Sequence, residues 1–213
     1  MNFDNFTYYR MMEESLKEIK KENKKPTLLL HSCCAPCSSY VLTYLAEYFK
    51  ITVFYYNPNI YPESEYAYRV NEVKRLIEEL PVKNKISFIE GEYNPDLFFE
   101  TVKGLENEKE GGERCFKCYE MRLFEAARTA KEGGFDSFTS SLFISPYQNH
   151  ELMRETAERA AREFGVEFLY RDFRPYFKAG QQFAREHDFY MQKYCGCVFS
   201  EEERYLKKNK IIP

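Results

Sequence analysis

PTLLLHSCCAPC, residues 26–37, decides how this chain is read. TLLLH (27–31) is a short, unbroken apolar run, the pattern of a strand buried on both faces. From about residue 38 to 49 the apolar positions change to helical spacing: Val41, Leu42, Leu45, Tyr48 and Phe49. Between strand and helix lies HSCCAPC (31–37). Loops at the carboxyl ends of parallel strands are where α/β sheets carry their chemistry, so three cysteines there read as functional.

The same alternation runs outward. ITVFYY (51–56) reads as a strand stopped by Asn57-Pro58-Asn59, and Tyr66, Val70, Val73, Leu76, Ile77 and Leu80 form a helical face ended by Pro81. Further strands are expected at 86–90, 135–140 and 166–170, and further helices at 96–102, 115–129, 146–164, 176–187 and 200–209. Ser200 with Glu203 three residues later has the form of a capping box for the last helix. Residues 6–23 read as a charged amphipathic helix. Five strands separated by helices imply an α/β fold with a mainly parallel sheet and helices on both faces. The whole chain, 1–213, is expected to be a single domain, with 1–25 as an N-terminal helical extension and the Gly-rich stretch 104–112 as a mobile loop.

Composition narrows the function. The chain has 213 residues, and its 31 Lys+Arg against 34 Asp+Glu leave a net charge of -3. A generic basic nucleic-acid binder is therefore disfavoured, although a local basic face suffices for phosphate contact. Mean hydropathy is -0.62. No stretch approaches the ~18 apolar residues of a membrane span, and the start lacks the apolar core of a signal peptide. No membrane association and a cytoplasmic location are expected. There, seven cysteines are not expected to serve as structural disulfides, and an odd number cannot all pair.

The cysteines fall into three clusters: Cys33, Cys34 and Cys37; Cys115 and Cys118; Cys195 and Cys197. Cys34 with Cys37, and Cys115 with Cys118, are two C-x-x-C pairs about eighty positions apart. Tetrahedral thiolate coordination suits zinc or an iron–sulfur cluster. A structural zinc would use four ligands and leave three cysteines idle, so a redox-active cluster in the loop after the first strand accounts for more of the set. A Cys195–Cys197 bridge would be strained and easily reduced, which suits a redox pair, but the two can equally ligate a second metal.

HSCCAPC (31–37), NPNIYPESEYAYR (57–69), RCFKCYEMRL (114–123), SSLFISPYQ (140–148), DFRPYFKAG (172–180) and YMQKYCGCVFS (190–200) together resemble the epoxyqueuosine reductases of the QueH family. The resemblance runs from about Pro26 to the end and is specific in order and spacing. It implies the last step of queuosine synthesis: cobalamin-independent reduction of the cyclopentane epoxide of epoxyqueuosine, at the wobble position of tRNA, to an alkene. It implies a [4Fe-4S] cluster on Cys33, Cys34, Cys115 and Cys118, and an additional mononuclear iron. It also implies a redox-active, disulfide-forming pair at Cys195 and Cys197. Cys37 either replaces Cys33 as ligand or binds the extra iron with Asp172. A ferredoxin- or flavodoxin-like electron donor is expected. The fold is similar to the Rossmann-like sandwich of the adenine nucleotide alpha-hydrolase (HUP-like) enzymes. Those enzymes carry S-G-G-x-D-S where this chain has HSCCAPC, so no ATP use is expected.

The reaction consumes two electrons and two protons and releases water. It needs an acid within hydrogen-bond reach of the departing oxygen, and His31, Asp172 and Tyr194 flank the cysteine motifs. Arg69, Arg171, Arg174 and Lys178 are candidate phosphate contacts, with solvated charge as the alternative. Tyr56, Asn57, Tyr61 and Tyr147 are candidates to hold an unstacked base. His150 and His187 read as surface histidines. Two other functions compete: an ATP-dependent iron–sulfur tRNA thiolase and a zinc-stabilised RNA-binding protein.

Overall fold

The computed structural model describes residues 14, 16, 17, 19–21 and 25–209; the first part of the expected N-terminal helix lies outside these residues. Five strands form one sheet: β1 (Thr27–His31), β2 (Lys50–Tyr55), β3 (Ser87–Glu90), β4 (Ser137–Ser140) and β5 (Glu167–Phe168). Their order is β3-β2-β1-β4-β5, and every pairing is parallel. The helices are α1 (Ala35–Leu45), α2 (Glu63–Glu79), α3 (Pro95–Thr101), α4 (Glu113–Glu132), α5 (His150–Phe164), α6 (Phe177–Glu186) and α7 (Val198–Asn209). None is long and apolar enough to cross a membrane.

Leu28, Leu29 and Leu30 are each 0% exposed. Successive strand residues point to opposite faces, so both faces of β1 are covered, as the unbroken apolar run required. The chain builds outward from β1 through β2 to β3, then returns to the other side of β1 for β4 and β5. The order reverses between β1 and β4, which opens a crevice at their carboxyl ends. The cysteine loop 32–37 leaves β1 at that crevice, and the 3₁₀ turn Ser141–Ile144 leaves β4 beside it.

Local chemistry moves several expected boundaries. The helix expected from residue 146 begins at His150, because Asn149 accepts the Leu152 N–H and caps it there, after a turn over 145–148. Gly165 closes that helix at φ 64, a left-handed conformation that glycine adopts without steric cost. The strand expected at 166–170 shortens to Glu167–Phe168, since the Thr139 hydroxyl takes the Leu169 carbonyl that a longer ladder would use. The expected Ser200–Glu203 capping box does not form. The last helix already starts at Val198; Ser200 accepts the Cys195 N–H and donates to Glu110, while Glu203 pairs with Arg114.

Those contacts also tie down the Gly-rich stretch. Arg114 donates to the carbonyls of Glu106 and Glu108, and the Glu110 N–H donates to Glu203. Residues 105–112 are thus bound to α4 and α7.

Helix α6 packs on α1 through Gly180, where a Cβ would meet the Pro36 carbonyl oxygen at 2.9 Å. Gly180→Val is expected to cost about 1–3 kcal/mol through overpacking. Urea unfolding measures it, and an unchanged midpoint would contradict this close approach.

Candidate functional site

The site is built at the carboxyl edge of β1, β2 and β4. His31 ends β1 and is fully buried. Its Nε2 lies 3.1 Å from the Tyr56 carbonyl, so this nitrogen carries the proton; Nδ1 then accepts from the Ser140 hydroxyl at 2.8 Å. One imidazole therefore links the ends of three strands. Burial, reinforced by the charge of Arg122, pushes its pKa down to about 3 and keeps it neutral.

The first cysteine loop lies directly above. Cys34 is the extended residue before α1, and Pro36 stands in that helix's first turn, where its missing N–H has no role to fill. The sulfurs of Cys33, Cys34 and Cys37 all lie within 4.8 Å of one another. Cys33 and Cys34 are 3.8 Å apart at sulfur. Thiolates sharing a tetrahedral ion at about 2.3 Å would stand roughly 3.8 Å apart, so this spacing suits shared metal ligation. Cys33 receives the Ser141 hydroxyl at 3.4 Å. Hydrogen bonds from the Cys34 and Cys37 thiols, aided by Arg122 and Ser141, hold its pKa well below the ordinary thiol value. Burial raises Cys34 to about 12, and the hydrogen bonds to Cys33 and Cys34, with burial, raise Cys37.

The second pair opens α4. Cys115 accepts the Gly111 N–H at 3.2 Å, and Cys118 is buried beside Cys197, Phe98 and Val102. Burial raises both thiols. The third pair lies on the segment before α7. Gly196, at φ 127, lets the chain pass under the buried Arg69, whose Nη1 donates to the Cys195 carbonyl at 3.0 Å and whose Nε pairs with Glu65 at 2.7 Å. Gly196 also accepts the Tyr61 N–H at 3.1 Å. All seven cysteines are free thiols, so the expected Cys195–Cys197 disulfide is absent: burial raises Cys195 strongly and Cys197 to about 12, leaving both protonated.

Arg122 joins the clusters. It is 2% exposed and lies four residues after Cys118 on the same helix. Its Nη1 is 4.0 Å from the Cys118 sulfur, and its Nη2 donates to Asn57 at 2.5 Å. Asn57 in turn donates to the Ser32 carbonyl at 2.9 Å. Cys118, Cys195 and Cys33, one from each cluster, all feel its charge. Sequence reasoning missed Arg122 as a functional residue. The signal was the spacing of Cys115, Cys118 and Arg122, which puts all three on one helical face.

Other expectations change. Asp172 is bound by Arg174 at 2.6 Å, and those contacts outweigh burial to hold its carboxyl below the usual range. His150, expected at the surface, is buried: its Nε2 faces the Ser145 carbonyl at 3.0 Å and its Nδ1 lies 3.9 Å from Asp172. His187 is exposed, as expected, and stacks on Phe183. Arg69 and Arg171 are buried rather than offered to phosphate, and Arg171 lies over Tyr44. Tyr56 and Asn57 are buried too, whereas Tyr61 and Tyr147 remain exposed. Lys178 is exposed.

Three cysteine thiols within 4.8 Å of one another, in the loop that leaves the central strand of a parallel sheet, make this an α/β protein with a thiol cluster able to hold a metal ion. The family follows from comparison with known proteins. Residues 28–203 match the family model described as epoxyqueuosine reductase QueH, and the chain belongs to that family. It is 38% identical over 197 residues to epoxyqueuosine reductase QueH of Streptococcus pyogenes serotype M1, covering 91% of this chain and 77% of the relative. It is 34% identical over 206 residues to that of Staphylococcus epidermidis, covering 94% and 87%. With that of Acinetobacter baylyi it shares 41% over 188 residues, covering 86% and 84%.

Arg69→Met leaves Glu65 with the Tyr190 hydroxyl but without its cation, and releases the Cys195 carbonyl. A stability loss of about 3 kcal/mol is expected, together with faster amide hydrogen exchange at Cys195, Gly196 and Cys197. Unchanged exchange there would remove Arg69 from the positioning of this segment.

Proposed function

We propose that the chain is an epoxyqueuosine reductase that converts the cyclopentane epoxide of epoxyqueuosine, at the wobble position of tRNA, to the alkene of queuosine. Family membership carries the reaction, and the thiol-lined crevice supports it as the place where the reaction occurs. Both carbon–oxygen bonds of the epoxide break. Two electrons and two protons enter, and the oxygen leaves as water.

Cys33, Cys34, Cys115 and Cys118 are assigned to a [4Fe-4S] cluster. Cys37 is assigned to an adjacent iron with Asp172, or to the cluster in place of Cys33. The donor set fits such groups: all these sulfurs are free, Cys33, Cys34 and Cys37 are within 4.8 Å of one another, and a buried cation stands beside Cys118. When bound, the metal centre supplies one-electron transfer and a Lewis acid for the epoxide oxygen.

The remaining roles belong to the protein. Cys195 and Cys197 form a dithiol that can hold an electron pair, giving up two protons as it oxidises. Arg69 and Ser200 fix that segment by its main chain. Of the three residues considered as acid, His31 has both ring nitrogens engaged and stays neutral, which supports a positioning role. Asp172 is held ionised by Arg174. Tyr194 keeps its proton, because burial raises it to about 12, and its ring lies under Arg69; it is assigned as the acid. The electrons come from a ferredoxin- or flavodoxin-like donor. The parallel order β3-β2-β1-β4-β5 supports the Rossmann-like, HUP-like form, and the packing of every described strand in one sheet supports a single domain.

The test supplies epoxyqueuosine-containing tRNA and a chemical reductant to protein loaded with iron and sulfide under anaerobic conditions. Mass spectrometry of the digested nucleosides should find loss of one oxygen. An intact epoxide with fully loaded protein would overturn the reading, and zinc in place of iron would favour an RNA-binding role. Cys195→Ser and Cys197→Ser proteins should load normally yet lose turnover; normal turnover would remove the dithiol role.

A further inference from the structure

Five arginines are buried among the described residues: Arg69, Arg114, Arg122, Arg154 and Arg171. Arg69 and Arg114 each hold a glutamate at 2.7 Å. Arg122 differs. Among the described residues no carboxylate lies within ion-pair distance of it, and its Nε is buried without a hydrogen-bond partner. What surrounds it is neutral or sulfur: the Asn57 amide oxygen at 2.5 Å and the Cys118 sulfur at 4.0 Å.

A guanidinium does not lose its proton in a protein, so it cannot escape burial by neutralising itself. Burying such a charge with no opposite charge is strongly unfavourable. The groups that can supply one are the cysteines, and they are anionic when they ligate metal.

We propose that Arg122 is the fixed countercharge of the thiolate centre: the metal-bound sulfurs neutralise its guanidinium, and its charge raises the potential at which the centre accepts an electron. The inference rests on the reading that these cysteines hold an iron–sulfur centre. Adding an electron makes such a centre more negative, and a cation a few ångströms away in a dry pocket favours that state. Arginine suits the position better than lysine does, because its rigid fork serves Asn57 and Cys118 together and its charge is independent of pH. The Asn57 contact has a second effect. Asn57 also holds the Ser32 carbonyl at 2.9 Å, so the cation on α4 is keyed to the first cysteine loop.

The experiment compares wild type with Arg122→Met, which removes the charge, and Arg122→Lys, which keeps it. Two quantities are read: the midpoint potential of the loaded centre, by redox titration with electron paramagnetic resonance, and the Tm of metal-free and loaded protein. Arg122→Met should shift the midpoint to more negative potential, with Arg122→Lys close to wild type. Metal-free Arg122→Met should melt no lower than metal-free wild type, since a buried charge with no carboxylate partner and an unpartnered Nε is gone, while its gain in Tm on loading should shrink. Loading by Arg122→Lys but not by Arg122→Met would also support the countercharge role. An unchanged midpoint and an unchanged gain on loading in Arg122→Met would overturn it. So would failure of both variants to load, or a metal-free Arg122→Met protein that melts lower than wild type; the guanidinium would then be a structural strut. The metal-free comparison stands apart from catalysis: loaded protein with the expected shifts but an intact epoxide would contradict the proposed reaction and leave the countercharge in place.

Discussion

His31 has no exposure and no free ring nitrogen, and much of the site depends on that. One nitrogen takes the Ser140 hydroxyl at the end of β4, and the other gives its proton to the Tyr56 carbonyl just beyond β2. Parallel register already brings His31 level with Ser140 and Phe54. The imidazole locks that level, so the loops that follow β1, β2 and β4 start from one height. The Cys33 N–H then reaches the Ser141 hydroxyl, and the Asn57 amide reaches the Ser32 carbonyl. Helix α4 is tied to them by Arg122, which reaches Asn57 and lies 4.0 Å from the Cys118 sulfur.

Charge then does what hydrophobic packing cannot. The crevice is dry enough to hold most of its thiols protonated, yet it contains a permanent cation. Cys33 is the exception among the thiols: hydrogen bonds from Cys34 and Cys37, with Arg122 nearby, lower its pKa rather than raise it. A pocket with a fixed positive charge and ionisable sulfurs favours ligands that complete its charge balance, and a metal centre bound by thiolates does so. Stretch 105–112 is bonded to Arg114 and Cys115, and Arg69, paired with Glu65, holds the Cys195 carbonyl.

The sequence revealed the inner frame more readily than the rim. TLLLH could be read because five successive residues in a doubly covered strand need no polar alternation. The cysteine clusters could be read because thiols at turn positions have few other uses. Charged side chains misled, because charge ordinarily signals solvent. Arg69 finds its glutamate one helical turn away, a pair that spacing could have suggested. Arg114 finds Glu203, and Arg122 finds Asn57, only after folding joins distant segments. The Ser200–Glu203 motif failed for the same reason: Glu110 and Arg114 compete for both side chains and win. His150 disappears beneath the turn before α5, which its neighbouring charged residues gave no sign of.

We propose one chamber in which cysteines of the 33–37 loop and of α4 hold iron beside Arg122, with the Cys195–Cys197 dithiol as redox partner. Anomalous scattering at the iron edge, from crystals of anaerobically loaded protein, tests it directly. Iron is expected within bonding distance of sulfurs from the 33–37 loop and from α4, with the Arg122 guanidinium beside it. Iron held by a single cluster alone, or none at the crevice, would contradict it.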